Sequence, residues 1–466
     1  VALVAICLGF FVVLLDATIV SVSLPAIGSS LNASLSGQQW ILNAYTLTFA
    51  AFMINAGALG DRWGARRLYL AGLAVFTAAT VVCAFASTVP TMIAARAVQG
   101  IGAAALVPCS LALIAHRFPE GRARARALGA WGAISGVGLA AGPAIGGILV
   151  DSVGWHAVFL VAVPVGAASG LMVLATVSEA AKRPRSRTDP YGQILAVAAL
   201  AAITIAFTTT SAHGWVSWQL LTFGLPGLGL AVGFVIVERV TDEAMLPLRM
   251  FRSGRFSTAT VIGTLFNFGL YGTLFCLALF LERTQHRSAA EAGLAILSLA
   301  VVVVACTMLS GHLNARFGAR LPMLIGLLAG AVGAALFATT DARTPFGSVA
   351  VFAAIFGLIG TAMPAMTAVV LDASPPGRAA LGSAVLNTAR QIGGLLGVAI
   401  LGSVLAPRGG LPSLHLPMSI VAGGYLAAGV LATRVSSGAA KSTSGTADLE
   451  PSGTRSATPM CGSRFR

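Results

Sequence analysis

The sequence predicts an all-α membrane protein of fourteen spanning helices, built as two six-helix halves with two further helices inserted between them. Three observations carry that expectation: the composition, the spacing of the apolar runs, and an internal repeat. Of 466 residues, 57% are hydrophobic and only 9% charged, and the mean hydropathy is +0.88. A soluble domain carries about 25% charged residues, so this composition cannot cover a surface that faces water. The 54 glycines would weaken helices in water, whereas helices in lipid use small residues to approach one another closely.

A bilayer core of about 30 Å needs a helix of about 20 apolar residues. That criterion places spans at 1–25, 37–60, 68–87, 91–115, 126–150, 157–177, 191–210, 217–237, 257–281, 290–312, 321–339, 347–370, 380–405 and 414–433. The pair at 191–237 is interrupted by Pro226 and Gly227 and has the weakest pattern. The first run reaches Pro25 with no small-residue cleavage site, so no cleavable signal is expected, and the lack of an initiator Met points to a trimmed or alternatively started N-terminus.

The net charge of +14 reads as topology rather than nucleic-acid binding, because the basic residues flank spans instead of forming one domain. One set of loops holds Arg62, Arg66, Arg67, Arg117, Arg122, Arg124, Arg126, Lys182, Arg183, Arg185, Arg187, Arg239, Arg249, Arg252, Arg255, Arg316, Arg320 and Arg378. The opposite set holds only Arg283, Arg287, Arg343 and Arg408. By the positive-inside rule both termini are expected in the cytoplasm. The stretch after Arg434 is rich in Ser, Thr, Gly and Ala and is expected to be a disordered tail.

Six cysteines form no CxxC or Cys/His cluster, so neither a metal site nor a disulfide framework is expected. No GxxxxGK[ST] phosphate loop occurs, which leaves an ion gradient as the energy source and calls for no cofactor. His116 and His312 lie at span ends, where solvated structural roles suffice.

The repeat aligns GALGDRWGAR at 57–66 with GHLNARFGAR at 311–320, matching Gly57, Leu59, Arg62, Gly64 and Arg66 to Gly311, Leu313, Arg316, Gly318 and Arg320. Each copy ends the second span of its half if 191–237 is an insert. This gives a division into 1–178, a linker with two inserted helices at 179–256, a second half at 257–433 and a tail at 434–466. Parallel repeats of this kind place a substrate site between the halves.

The segment Gly57-Ala-Leu-Gly60-Asp61-Arg62-Trp-Gly64-Ala-Arg66-Arg67 resembles the loop between the second and third helices of the major facilitator superfamily. Gly57 suits close helix contact, Gly64 a turn with positive φ, and Asp61 suits free helix-terminal amides. The resemblance implies a latch between the halves built on Gly57, Asp61, Arg62, Gly64 and Arg66; a simple positive-inside anchor is the alternative. In the second copy Ala315 replaces the acid.

The segment Leu15-Asp16-Ala17-Thr18-Ile19-Val20-Ser21 resembles the first-helix motif of the fourteen-span drug:proton antiporters, with Ser21 where that branch commonly has Asn. Asp16 lies about 14 Å from the outer end of the predicted span at ~1.5 Å per residue. A carboxylate at that depth costs about 2.5–3.5 kcal/mol, and burial disfavours its charged form. Asp16 is therefore a candidate proton carrier, or else a charged structural partner of an arginine. Arg96-Ala-Val-Gln99-Gly100 is similar to the fourth-helix motif of the same branch, which implies a coupling role for Arg96; an arginine reaching the outer interface is the other reading.

Gly132, Gly136, Gly138, Gly142, Pro143, Gly146 and Gly147 resemble the fifth-helix antiporter motif. Their i, i+4 rows give a smooth face that general helix packing also explains; only the resemblance raises export above import. Asn387-Thr-Ala-Arg390-Gln391 looks like a late-helix pattern of the same branch. Arg390 is expected to counter a substrate charge or close a gate, or to meet only backbone carbonyls. Gln99, Asn267, Tyr271 and Gln391 complete a candidate substrate cavity, with core packing the alternative for Asn267 and Tyr271. Some relatives carry an acid in the tenth span, tied to dications; ILSLAVVVVACTMLSG has none, which favours neutral or weakly charged apolar substrates. The expected function is proton-driven efflux of drugs or antibiotics across a bacterial inner membrane, without catalysis or an obligate protein partner. A symporter of a small metabolite on the same fold is the alternative.

Overall fold

The computed structural model describes residues 1–118, 121–179, 189–213, 217–241, 246, 248–375, 379–405 and 411–435. Lys182, Arg183, Arg185, Arg187, Arg378, Arg408 and the tail after Val435 lie outside the described residues. Helices follow in the order α1 (Ala2–Ser30), α2 (Leu35–Trp63), α3 (Ala65–Ala84), α4 (Val89–Arg117), α5 (Gly121–Ser152), α6 (His156–Leu160), α7 (Ala162–Thr176), α8 (Pro190–His213) and α9 (Trp218–Val240). The second half contains α10 (Gly254–Arg283), α11 (Ala289–Phe317), α12 (Arg320–Phe337), α13 (Phe346–Gly357), α14 (Ala362–Ala373), α15 (Ala379–Leu405) and α16 (His415–Thr433). α6 with α7, and α13 with α14, each make one crossing, so the described residues contain 14 helical segments long and apolar enough to span a membrane.

Local chemistry sets the ends of these helices. Ser34, Thr88 and Ser253 accept hydrogen bonds from the first-turn amides of α2, α4 and α10, and Ser288 with Glu291 forms a capping box on α11. α2 stops at Gly64 (φ 109°) and α11 at Gly318 (φ 72°). Both are backbone conformations that a residue with a Cβ resists, and they are the equivalent glycines of the sequence repeat. α1 does not stop at Pro25 but runs on to Ser30, so Asp16 sits nearer the middle of its helix than the sequence pattern placed it.

The inserted pair is fully helical. Pro226 lies inside α9, and Gly227 brings α9 against the Ile203 backbone of α8. α8 lies against both α2 and α15, one helix from each half. Gln193 fastens it there, donating to the Ala51 carbonyl at 3.0 Å and accepting from Asn55. α9 packs on α8 and otherwise presents apolar side chains such as Leu221, Leu228, Val232 and Ile236 outward.

The two ends of the bundle differ. At the end carrying Gln39 and Asp151, Ile19, Val22, Ile27, Leu42 and Met92 of the first half belong to one continuous core with the second half. At the end carrying Gly64, residues such as Ile6, Phe10, Tyr69, Leu106 and Ile114 form a separate core. The halves are therefore joined at the Gln39 end, with apolar burial there favouring closure.

Candidate functional site

The site begins with Asp16 on α1, which points into the bundle rather than toward lipid. Arg96 on α4 donates to it through Nη1 at 2.6 Å, and Gln99 donates to its other oxygen through Nε2 at 3.0 Å. The three residues are 3%, 1% and 0% exposed. Arg96 also donates to the Ile41 carbonyl at 3.1 Å and to Gln99 Oε1 at 2.6 Å. The guanidinium carbon stacks over the Tyr45 ring at 4.3 Å, and Gln99 Nε2 donates further to Thr80 Oγ1 at 2.8 Å. Arg96 and Gln99 reach the same acid because they stand one helical turn apart. The interior location of Arg96 excludes its reaching the interface. The Asp16 carboxylate, the Arg96 guanidinium and the Gln99 amide are each met by one another, as burial requires.

Beside this network lies a cavity of about 30 Å³ between the halves, lined by Val13, Ala17, Ser21, Tyr45 and Arg96 from the first half and by Tyr271, Gln391 and Val398 from the second. That volume holds about one or two waters, while a drug-sized ligand needs about 300–1,000 Å³, so the halves must part to admit one. Of the remaining candidates, Gln99 is buried behind Asp16. Asn267 is buried beneath Arg390, which donates to its Oδ1 at 3.3 Å.

The glycines of α5 serve two partners. Gly138, Gly142 and Gly146 lie against α1 at Phe11, Thr18 and Ile19, so closely that an added Cβ would strike the α1 backbone or the Thr18 hydroxyl. Thr18 Oγ1 donates to the Leu139 carbonyl at 3.2 Å, two residues from Asp16. On another side, Gly147 meets the Ala289 and Ala290 backbone of α11, and the Pro143 carbonyl meets Gly293. Toward the Gly64 end the helices diverge: Gly136 meets the Val304 side chain, while among the described residues nothing lies within 4 Å of a Cβ on Gly132, Gly129 or Gly311. One helix thus backs the acid-bearing helix and closes the contact between halves at one end.

A family model for the Major Facilitator Superfamily matches residues 6–254 and 260–462. The chain belongs to the major facilitator superfamily. It is 36% identical over 405 residues to the methylenomycin A resistance protein of Bacillus subtilis, covering 86% of this chain and 87% of that protein. Its identity to the multidrug resistance protein Stp of Mycobacterium tuberculosis is 36% over 410 residues, covering 87% and 75%. To the tetracenomycin C resistance and export protein of Streptomyces glaucescens it is 34% identical over 412 residues, covering 88% and 76%. A crystal structure of a POT family transporter in complex with 5-aminolevulinic acid superposes with a TM-score of 0.70 at 14% identity, covering 92% of this chain and 94% of that one; the likeness is one of fold. The protein is thus a multi-pass transporter-family member of a bacterial membrane.

Around the superfamily loop at 57–67, the described contacts go to the first half and to Glu179 just beyond it, none to the second half. Gly57 touches Pro108 of α4. Arg66 donates through Nη2 to the Leu174 carbonyl at 2.8 Å, and Arg62 is exposed. Glu179, beyond α7, accepts from the Arg66 and Arg67 amides at 2.9 and 3.3 Å, capping α3. Its carboxylate occupies the space where a Cβ on Gly64 would stand. The side chains of Asp61 and of Ala315 fall outside the described part of the structure.

Sequence reasoning missed Glu179, whose helix-terminal position carries no signal linking it to residues over a hundred positions away. It also missed Gln39. This fully buried side chain donates through Nε2 to the Val398 and Ala399 carbonyls of α15, each at 3.1 Å, and Gly402 packs onto it. A polar residue in the first turns of a span was the one available hint.

Proposed function

We propose that the protein exports drugs or antibiotics with an apolar body in exchange for protons, driven by the proton gradient alone and without a covalent step. The observation that carries this reading is the buried Asp16–Arg96 pair beside the cavity between the halves. Its helix, α1, rests on one side of α5, and another side of α5 closes against α11. The named resistance and export activities of the relatives support the direction of transport.

The Gly64 end is read as cytoplasmic because Arg62, Arg66, Arg67, Arg117, Arg239, Arg249, Arg316 and Arg320 gather there. On that reading the Gln39 end is the outer gate, and it is the joined one. A proton arriving at Asp16 neutralises the carboxylate and weakens its bond to Arg96. This loosens α1 from α4 and lets α1 and α5 shift together. Drug and proton each bias the equilibrium only through their different affinities for the two conformers. The test is reconstitution in liposomes with an imposed pH gradient, following internal pH as lipophilic antibiotics are added. Drug-triggered proton movement that vanishes in Asp16→Asn supports exchange. Gradient-stimulated uptake would instead make the protein a symporter.

A further inference from the structure

Each half sets one arginine against its own first helix, and only one of the two is neutralised. In the first half Arg96 meets the carboxylate of Asp16, about midway along α1. In the second, Arg390 meets the amide of Asn267, about midway along α10, with Nε 3.3 Å from Asn267 Oδ1. Its other donors reach Asn387 Oδ1 at 3.4 Å and Met363 Sδ at 3.5 Å, and the Phe266 ring lies 5.5 Å away. The two contacts to oxygen are long, and none of these partners carries a negative charge. Among the described residues no carboxylate pairs with Arg390, although Arg67, Arg96 and Arg287 each have one.

A guanidinium keeps its charge inside a protein, and an unpaired charge within a membrane span is costly. Such a cost is offset where an anion arrives. The surroundings suit one: Gln391, the next residue, and Tyr271, one turn from Asn267, line the cavity between the halves. Tyr45 on the facing wall is 3% exposed, and its buried hydroxyl has no hydrogen-bond partner. Arg390 sits about 16 Å along α15 at ~1.5 Å per residue, deep in its span and away from the headgroups.

We propose that Arg390 is the counter-ion for a carboxylate on the transported compound, so that the substrates include amphiphilic organic acids. This deepens the export reading above and rests on it for the word transported. Asn267 and Asn387 hold the guanidinium in place without neutralising it. A transport site needs that balance, binding firmly enough to select and weakly enough to release.

The test titrates the full-length protein in phosphatidylcholine nanodiscs with 2-naphthoate and with its methyl ester, by calorimetry at neutral pH. The acid is expected to bind about tenfold tighter or more, the range of a charge-assisted hydrogen bond. Arg390→Gln should bring the acid down to the level of the ester. Asn267→Asp, which gives Arg390 a carboxylate of its own, should do the same with the arginine still present. The second variant keeps the test decisive where the first misfolds. Equal affinities in the unaltered protein, or a preference that survives both substitutions, overturns the proposal. Loss of the preference in phosphatidylglycerol nanodiscs, with ester binding retained, would hand the cation to lipid headgroups and overturn it as well. Proton movement in liposomes tests export separately: its failure sinks that reading, while the anion site stands or falls on the titrations.

Discussion

Arg96 Nη1 lies 2.6 Å from Asp16 Oδ2, and the two side chains are almost wholly buried. Removing one partner of such a pair leaves an uncompensated charge and costs about 3–5 kcal/mol. The two possible removals are unequal here. In Asp16→Asn the guanidinium keeps Gln99 Oε1 and the Ile41 carbonyl, and the new amide supplies a neutral acceptor. In Arg96→Ala the carboxylate keeps only Gln99 and loses the cation. Asp16→Asn is therefore expected to stay folded and to lose proton-driven export, with Arg96→Ala the less stable of the two in thermal unfolding in detergent. A larger loss of stability in Asp16→Asn would show that the pair does not dominate this site.

The α5 glycines make a graded prediction. Gly142→Ala places a methyl group on the Thr18 hydroxyl and the Ile19 amide, and Gly132→Ala meets nothing within 4 Å among the described residues. Overpacking costs about 1–3 kcal/mol, whereas a free helical site gains up to about 1 kcal/mol from Gly to Ala. Gly142→Ala should lower the unfolding temperature and transport together, and Gly132→Ala should lower neither. Gly147→Ala collides with the α11 backbone in this conformer, whose Gln39 end is closed, so it should favour a conformer in which that end opens. Spin-label distances between Asp151 and Ala290 positions would report the change.

Most of the architecture was legible because bilayer thickness imposes one rule on every span. Even the pair at 191–237, with the weakest pattern, forms two helices. Lipid forbids unsatisfied backbone groups, so a proline and a glycine inside α9 bend the pattern without ending it. The local motifs were legible for a similar reason: Gly64 and Gly318 are punctuation that any single segment carries. Relations between distant segments were not. Nothing in the order of residues says that Glu179 would cap α3 or that Gln39 would reach α15. Likewise Asn267 gave no sign of facing Arg390 in the way that Asp16 faces Arg96. Those pairings depend on how helices sit beside one another, which periodicity does not encode.

Gln39 provides the clearest handle on the joined end. Its amide donates to two carbonyls of the opposite half, each at 3.1 Å. Gln39→Leu keeps the bulk and removes both bonds. With a net value of about 0.5–1.5 kcal/mol for each bond, the equilibrium should move toward the conformer open at that end by about five- to 150-fold. Distances measured by electron–electron resonance between labels on α2 and α15 would show a second population that the unaltered protein lacks. An unchanged distribution would assign closure to the apolar core alone.

At the opposite end, Gly64 and Glu179 are coupled by space. Gly64 has φ 109°, and a Cβ there would fall 2.6 Å from the Glu179 carboxyl carbon. Gly64→Ala thus carries two penalties, a backbone strain of about 1–2 kcal/mol and displacement of the carboxylate that caps α3, worth about 1 kcal/mol. Glu179→Ala carries only the second. Unfolding temperatures of the two single variants and the double variant separate these terms. The double variant should be less destabilised than the sum of the singles, because removing the carboxylate also removes the collision. Strict additivity would mean that the carboxylate and Gly64 do not share that space.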